Sequence, residues 1–567
     1  MPTAKSNATP SSESAVLFCR AVLLALLGAS AVAGAVWAAS GSKLIYTDEI
    51  AFFRDFRRIA AGQWEAIRIP HPPLYTALGG LSVRLVGEGT LALRLPGLIA
   101  SLAALLLVPA VCLAITERAD RARRAALLAL AGLALQPLIL QGSLLLDIDN
   151  TVMTAALLGW IAAVGLSAAR PAWQQTLLVG ATFALLLWTK LLPAPALFVV
   201  TLLAVFGLAR QRLAPLAAGL LAGAVAFGIS FAIFLAASGS DLAVYLSTVA
   251  RSRQALRPEQ YLSRAVMGGG IQMFWIGLPF LALMLTATLA TLRAFFRRRE
   301  HPVAAWCSLS VLAGFALFTL GNELPMGFPR YQVPLVWVGT IVTASWLAGL
   351  PWRPDWQFAA AAVPALGLYF WLAVRDPLAP QYALTVMTDS VAERLVRGLE
   401  IALVAIVIPF GLTLAAALAR FRRVGRALLA ATLFFSVAYW SALSVAQFAA
   451  EYATIYEYGR RGGWEAGALI RAGTPAGSEI VAPLELVYAS GREGQFIYDY
   501  LCPDCLPALL DRLDRAPPAA FAFSQKEERR YSALLHHPAL LARLAACYEP
   551  ARPTGSYIVF LRRAAPC

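Results

Sequence analysis

Long runs of apolar residues recur along most of this chain. Many of them hold about 18 to 25 residues, enough to cross a hydrocarbon core of roughly 30 Å as an α-helix. The composition agrees, because 59% of the residues are hydrophobic, only 14% are charged and the mean hydropathy is +0.67. A soluble protein of 567 residues needs far more polar surface than this. The sequence therefore predicts an all-α polytopic membrane protein.

The apolar runs between charged breaks predict about thirteen transmembrane helices. They lie near residues 15–39, 91–115, 125–144, 151–168, 175–189, 192–209, 213–236, 271–293, 303–321, 331–350, 357–374, 396–418 and 427–446. The first run is too long for a cleaved signal peptide, so we expect a retained helix. Residues 72–86 are also apolar, but a span there would reverse the side of every later loop. We expect a short amphipathic helix on the outer face instead.

Positive charge is concentrated in alternate connections between the spans. The clusters are Arg118, Arg121, Arg123 and Arg124; Arg210 and Arg212; Arg293, Arg297, Arg298 and Arg299; and Arg420, Arg422, Arg423 and Arg426. By the positive-inside rule these connections and the N-terminus are cytoplasmic. With an alanine- and arginine-rich composition typical of a high-GC bacterium, this predicts a multi-pass protein of a bacterial cytoplasmic (inner) membrane. The net charge of +15 reflects that topology and indicates no nucleic-acid partner, which would need one basic soluble face.

The composition changes near residue 447. We therefore divide the chain into a transmembrane domain, 1–446, and an outer (periplasmic or extracellular) domain, 447–567. In the second part, strand-like segments at 479–482 and 556–561 alternate with helix-like segments at 466–471, 506–512 and 539–544. About 110 residues with this alternation predict a small C-terminal α/β domain.

The seven cysteines divide in the same way. Three lie at or near the cytoplasmic ends of predicted spans, and the other four lie in the outer domain: Cys502, Cys505, Cys547 and Cys567. Because disulfides persist in oxidising compartments, these four are candidates for structural disulfides. Their connectivity stays open. The spacing of Cys502 and Cys505 also leaves open a zinc site or a redox centre, and Cys567 could be unpaired.

The outward connections carry an unusual set of polar residues at the membrane surface. The acidic members are Asp48, Glu49, Asp147 and Asp149, and the basic and aromatic members are Lys190, Arg330 and Tyr331. Acids accept a proton from an attacking hydroxyl or bind a metal. Cations bind phosphate, Arg in bidentate fashion and Lys as a point charge. Together these residues suit the transfer of a group from a phosphate carrier to an alcohol.

Each of these residues also has a simpler interpretation. An acid in an outer loop is often only solvated, and Asp147 or Asp149 suits the N-cap of the following span. Lys190 and Arg330 suit anchors at the membrane interface, and His71, which precedes two prolines, suits a turn. The combination on four connections favours a functional site more than any single residue does.

Four segments follow in order along the chain: Thr47-Asp48-Glu49, Pro72-Pro73-Leu74-Tyr75, Asp147 with Asp149, and Pro329-Arg330-Tyr331-Gln332-Val333-Pro334. In this order they resemble the motifs of membrane glycosyltransferases of the C-type superfold (GT-C). The branch they resemble contains the lipid A aminoarabinose transferases and the protein O-mannosyltransferases. About thirteen spans and an outer C-terminal domain are typical of the aminoarabinose enzymes. The resemblance covers the whole membrane part.

The resemblance implies a sugar donor linked to polyprenyl phosphate and used at the outer leaflet. It also implies that Asp48 is the general base for the acceptor hydroxyl, with Glu49 orienting it. Asp147 or Asp149, of which we favour Asp149, would orient the acceptor or assist the first acid. Attack in a single displacement would invert the anomeric centre.

Charge would then build up on the departing lipid phosphate, and Lys190 and Arg330 are the residues implied to stabilise it. His71, Tyr75 and Tyr331 complete the candidates for substrate binding. A lipid phosphate leaves readily, so the resemblance implies no acid that protonates the leaving group, unlike soluble glycoside hydrolases.

The family usually has Lys where His71 precedes the two prolines, so the sequence leaves the sugar and the acceptor open. The acceptor would be lipid A or lipopolysaccharide, another cell-envelope glycan, or a protein. Related oligosaccharyltransferases use a divalent metal between two acidic motifs, whereas the resembled branch implies none. We therefore expect no required metal or other cofactor, and membrane lipids as surroundings.

Two other classes of function remain open. A transporter or flippase for a lipid-linked sugar would use the same charges along a pathway. Transporters, however, usually place them near the bilayer midplane in repeated halves, and this sequence shows no internal repeat. A non-catalytic assembly protein would not need acids and bases on four connections. We expect a glycosyltransferase.

Overall fold

The fold is taken from a computed structural model of the chain. The structure describes residues 47–66, 71–87, 90–135, 148–191, 194–209, 212–243, 245, 276, 278–321, 330–349, 462–497, 506–524, 537–555 and 557–563. The spans predicted at 15–39, 357–374, 396–418 and 427–446 lie outside these residues, as does the predicted domain limit, which stays a prediction. The chain divides into two compact units, Met1–Gly41 with Asp55–Ala450 and Ser42–Arg54 with Glu451–Cys567.

Helices account for most of the described chain before residue 350. They are α1 Thr47–Ala60, α2 Leu74–Val86, α3 Thr90–Thr116, α4 Ala119–Leu135, α5 Thr154–Leu166, α6 Ala172–Thr189, α7 Ala194–Ala209, α8 Leu213–Ser238, α9 Leu278–Arg298, α10 Pro302–Gly321 and α11 Val333–Leu347. Two helices extend beyond the predicted spans into the arginine clusters: α4 begins six residues early and α9 ends five residues late. An apolar run marks the part of a helix that suits lipid, and the helix itself continues into the charged flank.

Among the described residues, three segments are long and apolar enough to cross a membrane: Ala92–Thr116, Thr151–Ala169 and Leu213–Ser238. Others, such as Val333–Leu347, are apolar but shorter. On α8 the large side chains of Leu221, Ile229 and Ile233 are exposed. A helix that leaves apolar side chains uncovered while packing through its other face is typical of a surface that meets lipid.

Small residues let α6 and α8 approach closely. A Cβ added to Gly223 would lie 2.5 Å from the carbonyl oxygen of Gly180, and one added to Gly180 would lie 3.0 Å from the carbonyl oxygen of Gly219. The two backbones therefore touch where these glycines meet. Such contacts are a common way for helices to associate in membranes, where burial of apolar surface gives little driving force.

The long first connection contains two helices. The helix predicted for residues 72–86 is α2, whereas α1 was not predicted. Gly79 and Gly80 of α2 pack against Phe56 and Ile59 of α1, and Leu81 and Leu85 of α2 are exposed. The amphipathic pattern of α2 thus places one face on α1 and leaves the other uncovered.

The C-terminal unit contains a five-stranded sheet in the order β2-β1-β3-β5-β4. Its elements are α12 Gly463–Gly473, β1 Glu479–Ala482, α13 Leu484–Ser490, β2 Glu493–Phe496, α14 Leu506–Arg515, β3 Ala520–Ser524, α15 Pro538–Cys547, β4 Arg552–Thr554 and β5 Tyr557–Leu561. β1 pairs in parallel with β2 and β3, whereas β5 pairs antiparallel with β3 and β4. A mostly helical chain with a small C-terminal α/β domain is the predicted fold class, and it is confirmed.

Both faces of this sheet are covered. One core cluster contains Phe521 and Phe560 together with Leu509 of α14 and Leu544 of α15, and the other contains residues of α12 and α13. Cys547, at the end of α15, is disulfide-bonded. The other three outer cysteines lie outside the described residues.

Candidate functional site

Lys190 is the first residue after α6. Its backbone is extended (φ −161°, ψ 136°), and its N–H donates to the carbonyl oxygen of Leu186 at 3.3 Å. Pro193 follows three residues later and cannot continue a helix, which explains why α6 ends here. Only 3% of Lys190 is exposed. Burial of an ammonium group costs solvation free energy, so this position differs from that of a lysine extended to the interface.

The ammonium group lies over an aromatic ring. Lys190 Nζ is 4.2 Å from the centroid of the Tyr331 ring, within the range of a cation–π interaction. Tyr331 in turn stacks on Phe318 of α10, with centroids 6.0 Å apart and planes at 14°. Tyr331 belongs to a 3₁₀ turn, Arg330–Gln332, which leads directly into α11. We call it the arginine turn.

The acidic segment that contains Asp149 lies next to the arginine turn. Asp149–Met153 forms one turn of π-helix, here called the π-turn, from which α5 continues. The π-turn packs against both the arginine turn and α6. Turns of this kind are frequent at functional sites. Ile148 occupies the N-cap position, so Asp149 is part of the turn, and Asp147 lies outside the described residues.

His71 lies in the bend before α2, close enough to Lys190 for the lysine charge to affect the pKa of the imidazole. Burial lowers the pKa of His71 to about 3, with the charge of Lys190 as the second cause. A neutral imidazole donates one hydrogen bond and accepts another. His71 is therefore suited to polar recognition near neutral pH and adds no charge to that of Lys190. We call His71, Lys190 and Tyr331 the lysine cluster.

The last turn of α6, just before Lys190, packs in an aromatic cluster. Trp188, two residues earlier, donates from Nε1 to the hydroxyl of Ser230 at 3.0 Å. Its ring packs edge-on against three aromatic rings of α8, which are Phe227, Phe231 and Phe234. Lys190 itself is almost completely buried, so its charge is screened little by water and acts more strongly on a nearby anion than it would in water.

The arginine turn also contains a candidate site residue, Gln332, that was not predicted from the sequence. Gln332 is only 1% exposed, yet neither Oε1 nor Nε2 has a hydrogen-bond partner in the described part of the chain. An unsatisfied buried polar group costs about 1–3 kcal/mol. A ligand with hydroxyl groups that both donate and accept would satisfy the amide. The available signal was its place directly after Arg330 and Tyr331.

Asp55 of α1 was also missed. Its carboxylate is buried, with Oδ1 4.0 Å from a guanidinium nitrogen of Arg58. Asp55 also acts on Tyr245, a residue beyond the end of α8. Burial raises the pKa of the Tyr245 hydroxyl, and the negative charge of Asp55 raises that pKa further. Asp55 follows Asp48 by seven residues on one helix, and residues at this spacing share a helical face. That spacing was the signal the sequence offered.

The remaining predicted residues are placed only in part. Asp48 and Glu49 are the second and third residues of α1, where the helix dipole favours negative charge. The structure does not describe their side chains or that of Arg330. Tyr75 is buried and packs edge-on against Phe56, with ring centroids 5.5 Å apart. The structure thus brings His71, Lys190 and Tyr331 together and places the π-turn beside the arginine turn.

The acidic residues among these candidates are also possible metal ligands. Within the described ranges, no three side chains of His, Cys, Asp or Glu form a group that would hold a metal ion. Asp48, Glu49, Asp147 and Asp149 are not covered by that statement, so the expected independence of metal stays a prediction.

Comparison with solved structures identifies the fold. The chain is similar to ArnT from Cupriavidus metallidurans, in a crystal structure bound to undecaprenyl phosphate, with a TM-score of 0.58, 16% identity, and coverage of 98% of this chain and 100% of that one. The apo crystal structure of the same protein gives a TM-score of 0.58, 16% identity, and coverage of 99% and 100%.

A third structure, arabinosyltransferase EmbB from Mycobacterium smegmatis by cryo-EM, gives a TM-score of 0.45, 17% identity, and coverage of 79% and 42%. No protein-family model and no curated protein matches the sequence. At such identities the similarity to ArnT shows the fold, and it confirms the predicted GT-C architecture over nearly the whole chain.

Proposed function

We propose that this protein is a glycosyltransferase that moves a sugar from a polyprenyl-phosphate donor to an acceptor at the outer face of a bacterial cytoplasmic membrane. The GT-C fold supports this class of reaction, and the solved structure of ArnT with undecaprenyl phosphate supports the class of donor. The acceptor would offer a hydroxyl or phosphate oxygen on lipid A or lipopolysaccharide, on another envelope glycan, or on a protein.

The observation that carries the proposal is the buried ammonium group of Lys190. It is held over Tyr331 at 4.2 Å and lies close to a neutral His71. A fixed positive charge at such a site stabilises an anion without reorganisation of the protein. The leaving group of the proposed reaction is an anion of this kind, a lipid phosphate.

The reaction combines a proton transfer with one displacement at the anomeric carbon. Asp48 accepts the proton of the acceptor hydroxyl, and the oxygen attacks the anomeric carbon from the face opposite the phosphate. The bond between that carbon and the phosphate oxygen breaks, its electron pair leaves with the polyprenyl phosphate, and the anomeric configuration is inverted. Lys190 and Arg330 stabilise the phosphate, while Asp149 of the π-turn orients the acceptor.

His71 and Gln332 fit polar recognition in the same proposal. His71 is neutral near pH 7 because its pKa is lowered to about 3, so it would hydrogen-bond to a substrate hydroxyl or phosphate oxygen. Gln332 would do the same through its buried amide. The proposed chemistry needs no metal, because the lipid phosphate leaves without a Lewis acid. Transfer is expected to persist in excess EDTA.

The test uses purified full-length protein with radiolabelled pentose and hexose linked to undecaprenyl phosphate. Transfer, or slow release of free sugar without acceptor, is expected for the native protein and is lost in Asp48→Asn. Asp120→Asn is the matched control, since Asp120 is an exposed carboxylate paired with Arg118. Full activity of Asp48→Asn would contradict the role of the base. Movement of intact donor across proteoliposomes without cleavage would favour the transporter alternative.

A further inference from the structure

A cavity lies at the end of the helix bundle remote from the lysine cluster. Its volume is about 240 Å³, and it is lined by the ends of α3, α9 and α11 and by the starts of α4 and α10. Helix α11 connects the two regions: it begins after the arginine turn, and Ser345 and Trp346 near its end line the cavity. Its 15 residues span about 22 Å as helix. The cavity is therefore separate from the proposed transfer site.

The lining is rich in cationic groups. Arg121, Arg298 and His301 contribute to it, and Glu300 is the one carboxylate among the lining residues. Helix α10 begins at Pro302, and Ala304 in its first turn lines the cavity. The unpaired N–H groups of a helix start add a further partial positive charge. The two guanidinium groups and the helix N-terminus favour an anion, whereas the imidazole of His301 is paired with Glu117.

Arg121 and His301 are held in place by neighbouring groups. Arg121 donates from Nε and a terminal nitrogen to the carbonyl oxygen of Ser345, at 3.2 and 3.0 Å. His301 Nδ1 lies 3.3 Å from a carboxylate oxygen of Glu117. Both His301 and Glu117 have positive φ, 55° and 57°, which is unfavourable for residues other than glycine. The contact between Glu117, which lies between α3 and α4, and His301, which lies between α9 and α10, stabilises these two backbone conformations.

We propose that this cavity binds a phosphate group, supplied by the headgroup of an anionic phospholipid. The membrane is the nearest source of such a group, because α9 exposes Leu289 and Phe296 on its surface, as expected for a helix that meets lipid. Basic pockets between transmembrane helices are a known way to bind anionic headgroups. The exposed guanidinium group of Arg298 offers a fork of donors that matches phosphate oxygens. This site does not depend on the proposed transferase activity.

The test measures lipid retention by the intact protein. Full-length protein in detergent is titrated with phosphatidylglycerol, with phosphatidylcholine, or with inorganic phosphate, and bound lipid is counted by native mass spectrometry. Arg298→Gln is the main variant, because Arg298 is exposed and its removal leaves the helix packing intact. We expect about tenfold weaker phosphatidylglycerol binding, the effect of one charge-assisted hydrogen bond. Arg121→Lys, which keeps the charge and loses the paired hydrogen bonds to Ser345, is expected to weaken it less.

Arg293→Gln provides the matched control. Arg293 is also an exposed arginine of α9, but the face that lines the cavity is formed by Thr291, Ala294, Phe295 and Arg298. Binding in this variant is expected to change less than about twofold. If millimolar phosphate displaces the lipid from native protein and not from Arg298→Gln, free phosphate shares the site and the phosphate assignment holds. Equal losses in both variants, or equal retention of the two lipids without any effect of phosphate, would overturn it.

Discussion

The two ends of α11 hold positive charge in different ways. At its start, Lys190 is almost completely buried, lies over Tyr331 and has a neutral histidine beside it. At its end, Arg121 is half-buried and Arg298 is exposed, around an open cavity. Exposed guanidinium groups cost little free energy, whereas a buried ammonium is costly. The two regions therefore differ in how deeply their charges are buried more than in how many charges they contain. A buried charge indicates a candidate reaction centre, whereas exposed charges indicate a surface that orients or anchors the protein.

The sharpest way to break this comparison is to remove the buried charge. In Lys190→Met we expect kcat/KM for transfer from the undecaprenyl-phosphate donor to fall by about 10²- to 10³-fold, the effect of losing a group that stabilises transition-state charge. Lys190→Arg, which keeps the charge, should lose less. Arg298→Gln at the other end should leave kcat/KM within about twofold. Equal effects at the two ends would remove the distinction.

A second test concerns the buried amide beside Tyr331. Gln332→Leu removes an amide that has no partner among the described residues, so we expect the free energy of unfolding without substrate to rise by about 1–3 kcal/mol. Transfer should fall, because the proposed hydrogen bonds to the sugar are lost. Thermal unfolding in detergent and kcat/KM measure the two effects.

Gln175 supplies the control for that substitution. It is equally buried, but its Oε1 accepts a hydrogen bond from Arg212 at 3.4 Å. Gln175→Leu should therefore lower stability by about 1 kcal/mol and leave kcat/KM unchanged. If Gln332→Leu lowers stability as Gln175→Leu does, the Gln332 amide has a structural partner and the proposed sugar contact is wrong.

A third test addresses the helix contact that supports α6, the helix that ends at Lys190. In Gly223→Val the new Cβ would meet the carbonyl oxygen of Gly180 at 2.5 Å, and backbone cannot move aside cheaply. We expect a loss of about 1–3 kcal/mol in stability and a displaced α6. Gly228→Val, on the same helix, has nothing within 4 Å of its Cβ and should change the melting temperature little. Similar melting temperatures would refute the close packing of the two helices.

Several transmembrane helices were predicted well from the sequence, because a long apolar run is a direct sign of a helix that lies in lipid. The spans at 91–115 and 213–236 differ from α3 and α8 by at most two residues at either end. Helix α1 was missed because its sequence, Thr47–Ala60, is charged as well as apolar, and hydropathy alone does not detect it. In the C-terminal unit β1 was predicted with its exact limits, whereas β2, with the polar sequence Glu-Gly-Gln-Phe, was not.

The charged residues of the candidate site were predicted from the sequence. An uncharged residue of the site, and the contact between residues far apart in the sequence, were not. Lys190 and Tyr331 are 141 positions apart in the sequence, and only the fold shows that one lies over the other. Gln332 is an ordinary polar residue in the sequence, and its lack of partners becomes visible only once its burial is known. Asp55 carried a spacing signal, seven residues after Asp48, that hydropathy does not weigh.

The smallest expected effect is on the pH dependence of stability, through one histidine near each end of α11: His71 and His301. Burial lowers the pKa of His71 to about 3, whereas the hydrogen bond with Glu117 raises the pKa of His301. Between pH 6.5 and 3 the unfolded chain binds a proton that His71 does not, so its contribution to stability falls as the solution becomes more acidic. For His301 the contribution is full below pH 6.5 and is lost as the pH rises through its raised pKa.

NMR titration of the imidazole signals from pH 4 to 9, assigned with His71→Gln and His301→Gln, measures both pKa values. The pH profile of transfer should show no step from His71 in this range, and His71→Gln should therefore scale the profile without changing its shape. Acid unfolding should be milder in His71→Gln than in the native protein, and His301→Gln should lose stability chiefly on the acid side. A His71 signal that titrates near 6.5 would mean that the imidazole is solvated. The lysine cluster would then be as open to water as the cavity at the far end of α11.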